Sequence, residues 1–345
     1  MDRTMSGKTI GIMHNEPVPS GHAFSEASAD VLTQAGEIEQ ALAQLGFNSV
    51  RISFTKDLHR FIEAMSEARP QLVFNLCETV DEDPLLAGHP AAVLELMGIQ
   101  FTGTTAPGIA MTTDKLVAKR LLEASGIPTP HYAVYEGGPL EPPPLKFPVI
   151  IKPRWQDASI GIDQDSVAEN RGDLQEKAKS MFESFGPLLI EEFIKGREFN
   201  ISLFGYPVER VLPIAEIEFL DYPQELFPIV GYRAKWDQSS FEYRHTARRF
   251  PELPTVLADE MADVARRCFQ LFLLRDYARV DVRVDPGGCI QVLEVNANPC
   301  LSPDAGFAAA AVQSGMRYRD MVERFVQFMT LRSKGHVYQA SRSQG

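Results

Sequence analysis

Apolar positions along this chain switch repeatedly between two periods, and the switching predicts the architecture. "KTIGIMH" (8–14) is a short apolar run that predicts a strand. "DVLTQAGEIEQALAQLGF" spaces its apolar residues three and four apart and stops at Gly46, which predicts a helix. The alternation continues with the strand "SVRISF", the helix "HRFIEAMSEARP" ended by Pro70, the strand "QLVFNL", the helix "HPAAVLELMG" and the short strand "IQFTG". Strands alternating with helices predict a parallel sheet covered on both faces. This first α/β unit is assigned to residues 1–103.

The pattern changes after Thr104. "TDKLVAKRLLEASG" predicts a helix stopped by Gly126, "IPTPHYAVY" is extended, and "FPVIIKP" has the unbroken apolar character of a buried strand. The loop "RWQDASIGI", the helix "DLQEKAKSMFESFG" and the strand "PLLIEEFI" complete a second unit, 104–195. A third, 196–332, opens with alternating stretches, "REFNISLFG" and "ERVLPIAEIEF", that predict antiparallel strands. "YRAKW" is placed in a long loop and "LADEMADVARRCFQLFLL" in a helix. "ARVDVRV-DPGG-CIQVLEVN" predicts a hairpin, and "RYRDMVERFVQFMTLR" a closing helix. The polar tail, 333–345, is expected to be loose.

Composition narrows the function classes. A chain of 345 residues exceeds one ordinary core, in keeping with two or three domains. The formal net charge of −12 argues against nonspecific nucleic-acid binding, which needs a basic footprint. No apolar run approaches the roughly 20 residues that span a bilayer, and the N-terminus lacks the apolar core of a signal peptide. The four cysteines form no CxxC pair, which fits a reducing, cytoplasmic setting. The seven histidines show no metal-ligand spacing.

The hairpin carries the chemistry. If Asp285 pairs with Gly288 across "DPGG", Arg279 faces Glu294 and Asp281 faces Val292. Alternation then puts Asp281, Glu294 and Asn296 on one surface, with Glu294 and Asn296 roughly 6–7 Å apart along the strand. Two carboxylates and an amide, without histidine or cysteine, suit magnesium rather than zinc. Magnesium held by so few protein oxygens completes its shell with phosphates and water, so a nucleotide is the natural partner. Lys115, Lys152, Lys235 and Arg279 are candidates to meet its phosphates. Backbone amides of "DASIGI" could do the same. "LLIEEFIKGREF" fits an adenine and ribose cleft between domains, with Phe193 and Ile194 on the base and Glu198 on the ribose.

From about Leu94 to Phe328 the chain resembles ATP-grasp ligases of the D-alanine–D-alanine ligase family. The matching pieces are "LELMGIQFTG", "TDKLVAKRLLEASGIPTP", "VIIKP…SIGI", "LLIEEFIKGREF", "RAKW", "ARVDVRV" and "LEVNANP". The resemblance implies a three-domain ATP-grasp fold, of mixed α/β and α+β class, with a Rossmann-like first domain. It implies that Lys115 and Lys152 contact ATP phosphates and that Ser159 lies in a phosphate-covering loop. Glu191, Phe193, Ile194 and Leu293 would surround adenine, with Glu198 on ribose. Lys235 would reach the γ-phosphate from a mobile loop, and Arg279 would stabilise the reacting phosphoryl and the tetrahedral oxyanion. Asp281, Glu294 and Asn296 would hold two magnesium ions, with manganese as an alternative. The implied reaction phosphorylates a carboxylate with ATP, after which an amine attacks the acyl phosphate. A homodimer is also implied.

The departures from the family pattern cluster on the amino-acid side. The first unit lacks the family's Gly-Gly-x-Ser turn and its Glu-Arg-Glu, and "NLCETVDED" replaces a His-Gly. Ala158 replaces the first serine of the phosphate loop, Trp236 the tyrosine after the lysine, and Cys300 the glycine after Asn-x-x-Pro. The serine that helps hold the second substrate's carboxylate falls near Ala305. Glu78, Asp30 and His22 are substrate-side candidates, because acids there could bind an ammonium group; Trp236 and Cys300 join them. Two readings stay beside a D-alanine–D-alanine ligase-like enzyme. One is a ligase of the same fold making another dipeptide or amide in peptide or natural-product biosynthesis. The other is a non-catalytic nucleotide-binding protein.

Overall fold

The computed structural model describes residues 8–19, 21, 24–140 and 144–342, with side chains through residue 333. Its first layer is a four-stranded parallel sheet in the order β2-β1-β3-β4. The strands are β1 (Thr9–Asn15), β2 (Asn48–Phe54), β3 (Leu72–Asn75) and β4 (Gln100–Phe101). Between them run α1 (Ser25–Gln44), α2 (Leu58–Ala68) and α3 (His89–Leu96). Alternation divides the strands between two cores: Ile10, Ile12 and Phe74 pack with Ile38 and Leu42 of α1, while Met13 and Val73 pack with Phe61, Met65 and Leu94 of α2 and α3. Both faces are thus covered, as the sequence predicts.

Two helices follow, α4 (Ala106–Thr113) and α5 (Lys115–Ala124); only the second was anticipated. Asp114 caps α5, its carboxylate accepting the Leu116 and Val117 amides. An antiparallel sheet ordered β5-β8-β6-β7 comes next. It contains β5 (Tyr132–Tyr135), β6 (Val149–Pro153), β7 (Val167–Ala168) and, after α6 (Arg171–Phe185), β8 (Leu188–Glu192).

The third sheet is antiparallel and ordered β12-β11-β9-β13-β14, with β10 also on β9. Its strands are β9 (Arg197–Gly205), β10 (Arg210–Val211), β11 (Ala215–Phe219), β12 (Thr246–Arg249), β13 (Asp276–Val284) and β14 (Ile290–Asn296). Between β11 and β12 lie α7 (Tyr232–Trp236) and α8 (Phe241–His245). "YRAKW" is therefore a helical turn and not the loop expected of it. Helix α9 (Thr255–Leu271) covers one face of the sheet, Met261, Ala265 and Cys268 packing on Phe199, Ile201 and Val280. The chain ends with α10 (Gly306–Gln313) and α11 (Tyr318–Arg342). Helix α11 runs past residue 333, where a loose tail was expected; the stretch contains no proline to stop it.

Helix α11 joins the first layer to the third. Met321, Val322, Phe325 and Met329 share one core with Ile10, Ile12 and Phe74 of the parallel sheet and with Phe204 and Tyr277 of the third sheet. Arg332 of α11 pairs with buried Asp276 and donates to the Phe101 carbonyl at 2.6 Å. Asp276 in turn accepts the Gly103 amide at 3.0 Å.

Candidate active site

The β13–β14 hairpin differs in register from the sequence reading. Pairing begins at Val284 with Ile290, so residues 285–289 form a longer loop than a two-residue turn. Gly288 there has φ +86°, and the Asp285 carboxylate accepts the Gly287 and Cys289 amides at 2.8 and 2.9 Å. Continued regularly, this one-residue slip would turn Glu294 and Asn296 to the wrong face. A β-bulge corrects it. Val282 pairs with Val292 and Asp281 with Glu294, leaving Leu293 as the extra residue. Arg279, paired with Asn296, and Asp281, paired with Glu294, then form one square of side chains.

That square lines a cleft of about 590 Å³ between the sheets. Lys152, Ser159, Glu191, Phe193, Ile194, Glu198, Lys235, Trp236 and Leu293 line it as well, as do Asp30, Glu78 and Cys300. Lys115 sits behind this lining. Its ammonium bonds the Gln156 carbonyl and lies 3.3 Å from Asp157 and 3.6 Å from Glu294. His22 lies outside the described residues.

On the nucleotide side Glu191 and Glu198 each have a basic partner. Glu191 is 1% exposed and stands between Lys152, at 2.9 Å, and Lys119, at 3.3 Å. Burial opposes ionisation of its carboxyl, but the two lysines outweigh burial and hold its pKa below the usual range. Lys119 was missed by the sequence reading. It follows Lys115 by four residues on the buried stripe of α5, a spacing that could have revealed it. Burial, reinforced by Lys152, lowers its pKa to about 8 against the pull of Glu191. Arg283 was missed too, although it continues the Arg279, Asp281 alternation. Its Nε and Nη2 both donate to one oxygen of Glu198, Oε2, at 3.0 and 2.8 Å. Its Nη1 donates to the Ile194 carbonyl at 2.8 Å, and its guanidinium stacks on Phe193 at 4.7 Å.

The phosphate-loop candidate is sewn to the segment carrying Lys235. Ala158 and Ser159 both have positive φ, 55° and 61°, an uncommon backbone for residues with a Cβ. Ser159 Oγ donates to the Val230 carbonyl at 2.7 Å, and Trp236 Nε1 to the Ala158 carbonyl at 3.1 Å. Tyr232 N donates to the Ile162 carbonyl at 2.7 Å, and the Tyr232 hydroxyl to Glu26 of α1 at 3.2 Å. The indole thus clips the two segments together across the cleft mouth. Lys235 points inward, where burial and then Arg279 lower its pKa.

The acidic centre is held by cations. Burial of Glu294 opposes its charge, yet Lys115, Lys235, Lys152 and Arg279 bring its carboxyl down to about 2. Arg279 grips Asp281 with two bonds of 2.7 and 2.8 Å, and Asn200 donates to the same carboxylate at 2.8 Å. Among the described residues no three His, Cys, Asp or Glu side chains form a ready metal cage. The donor set of Asp281, Glu294 and Asn296 nevertheless fits magnesium: hard oxygens, too few to close a shell, beside room for phosphates.

On the other side lie the carboxyl ends of β1 and β3. Glu78 follows β3 there, its amide 3.4 Å from Asn15 Oδ1. Burial, then Asp157 and Asp30, raise the Glu78 carboxyl to about 7. Asp30 of α1 accepts from Cys300 Sγ at 3.1 Å and from Ser302 Oγ at 3.3 Å. Burial and Asp30 push the Cys300 thiol well up, so it is no nucleophile at neutral pH.

A sequence profile described as "D-ala D-ala ligase C-terminus" matches residues 121–327. The chain belongs to the D-alanine–D-alanine ligase family. This family member is 31% identical, over 84% of both chains, to an uncharacterised protein of Sinorhizobium fredii. It is 29% identical to a D-alanine–D-alanine ligase of Desulforudis audaxviator, over 83% of this chain and 89% of that one. Among solved structures, D-alanine–D-alanine ligase from Bacillus anthracis complexed with ATP superposes with a TM-score of 0.75 at 21% identity, covering 95% and 99% of the two chains. The VanG D-Ala:D-Ser ligase of Enterococcus faecalis gives 0.68 at 17%, covering 94% and 100%. These likenesses show the ATP-grasp fold, and the family is one of ATP-dependent ligases that form C–N bonds.

Proposed function

We propose that this family member is an ATP-dependent carboxylate–amine ligase joining two amino acids through an acyl phosphate. One observation carries the reading. A single cleft gathers Lys152 and Lys235, the Arg279, Asp281, Glu294 and Asn296 square, and a separate acidic corner of Asp30 and Glu78. Phosphoryl transfer depends on positioning and charge neutralisation more than on covalent help from the protein.

Adenine lies against Phe193, Ile194 and Leu293. Glu191 fixes Lys152 toward the phosphates. Glu198 has Oε1 free of Arg283 and accepts the ribose hydroxyls through it. Asp281, Glu294 and Asn296 would hold magnesium, which would supply charge neutralisation at the terminal phosphates. A substrate carboxylate oxygen attacks the γ-phosphorus, the bond to ADP breaks, and Lys235 and Arg279 meet the charge that develops. The second substrate's ammonium releases a proton to solvent, and the resulting amine attacks the acyl carbon. Arg279 donates to the tetrahedral oxyanion, and phosphate leaves as the amide forms. Asp30 and ionised Glu78 bind a substrate ammonium group. The clip between Trp236 and Ala158 keeps water from the acyl phosphate.

The test is phosphate release coupled to formation of a condensed product, identified by mass, over a panel of D- and L-amino acid pairs. ATP binding that is indifferent both to magnesium and to Asp281→Asn would overturn the proposal. Changes on the amino-acid side, such as Cys300, Ala305 and the Asp30–Glu78 pair, favour a dipeptide other than D-alanyl-D-alanine as the product.

A further inference from the structure

The edge strand β12 carries two consecutive arginines whose surroundings differ. Arg249 points outward and pairs with Glu218 of β11 at 3.3 Å. Arg248, one residue earlier and therefore on the opposite face, lines the cleft. Its Nη1 donates to the Asp304 carbonyl at 2.9 Å, and among the described residues no carboxylate lies within 4.0 Å of it. Asp304 contributes only this backbone oxygen within bonding distance.

Arg248 also has a cationic neighbour. A methyl placed on Gly306 would lie 3.8 Å from Nε and Nη2 of Arg248 and 3.8 Å from Nη1 of Arg279. The two guanidiniums thus converge at the start of α10, where Ala305 supplies no side-chain cap and the first-turn amides are open. Arg279 is already balanced by its two bonds to Asp281. Arg248 has no such carboxylate grip; partial burial and then Arg279 lower its pKa, against the more distant pull of Asp304. Arg248 as a whole is exposed, so water screens its charge in the free protein and its remaining N–H donors stay open to an anion entering the cleft.

If the chain is a ligase of this kind, the cleft holds one cation more than the reaction needs. The α10 amides and Arg279 suffice for one acceptor carboxylate and the reacting oxyanion. Arg248 is an additional full charge on the side of the cleft where this chain departs from its family's motifs. We infer that the acceptor is an amino acid with two carboxylates, and that Arg248 is the specificity-determining residue that binds the second of them. A dianionic phosphate there would crowd Asp304 with excess charge, whereas one carboxylate matches one guanidinium.

The test compares aspartate and glutamate with asparagine and glutamine as acceptors, in both configurations, using the full chain with ATP and magnesium. The acidic acceptors are expected to exceed their amides by about tenfold or more in kcat/KM. Arg248→Gln is expected to erase that ratio through KM for the acceptor while KM for ATP stays; Arg248→Lys should retain part of it. Amides or alanine used as well as the acids by the wild-type chain, or a ratio that survives in Arg248→Gln, would overturn the inference. A second readout needs no turnover: with ADP and magnesium present, glutarate should raise the melting temperature more than acetate does, and Arg248→Gln should remove the difference. If no amino-acid pair yields product but this difference is seen and depends on Arg248, the ligase reading falls and the subsite stands. If neutral pairs turn over and glutarate behaves like acetate, the ligase reading stands and the subsite falls.

Discussion

The two ends of the cleft balance their charges differently. At the nucleotide end, Glu191 lies between two lysines and Glu198 is gripped by Arg283, each within about 3 Å and almost wholly buried. At the amino-acid end, Arg248 has no acid, and Asp30 and Glu78 have no base within 4.0 Å among the described residues. The first end is complete before any ligand arrives, so it serves as scaffold as well as binding surface. The second holds cation and acids apart and relies on a zwitterionic or anionic ligand to complete it. Charge balanced inside the protein contributes to folding, while charge left open is available for recognition.

The contrast can be broken by experiment. Glu191→Gln should cost the most stability, about 3–5 kcal/mol in urea unfolding, because it strands two buried ammonium groups. Asp30→Asn should cost less than about 1 kcal/mol; equal losses would erase the distinction. Arg279→Ala should lower kcat about 10²–10³-fold with little change in ADP affinity. Glu78 sharpens the comparison through pH. Its folded carboxyl is raised to about 7 from 4.5, so between those values the folded chain keeps a proton the unfolded chain has released. Stability should therefore fall as pH rises from about 4.5 to about 7, by up to about 2–3 kcal/mol, and Glu78→Gln should flatten the profile. If ionised Glu78 binds ammonium, the substrate KM should fall over the upper part of the same window. The smallest effect concerns Arg283→Met. With Glu198 no longer held, KM for ATP should rise about tenfold and the preference for ATP over 2′-deoxyATP should shrink. An unchanged preference would leave Arg283 a packing residue.

The same contrast governs what could be read in the sequence. The parallel first sheet was legible because its strands are short apolar runs punctuated by Gly46 and Pro70. The cluster of Arg279, Asp281, Glu294 and Asn296 was legible because alternation is a local rule. The predicted register was wrong, yet the shared face was right, since the bulge at Leu293 restores the parity that the longer loop had upset. Lys119 and Arg283 had local signals in their helix and strand spacing, but what those signals meant depended on partners 10 to 173 residues away, and Arg248's lack of a partner is written in no window of sequence. "YRAKW" was placed in a loop because a five-residue helix shows too little periodicity to announce itself.

The seating of the last helix bears on how the protein is made. One side of the first sheet needs Phe325 and its neighbours to keep Ile12 and Phe74 from water. Those residues are synthesised about 250 residues after the strands they cover, so that face stays half clothed until α11 emerges and invites chaperones or misassociation. Deleting α11 would therefore unsettle the parallel sheet.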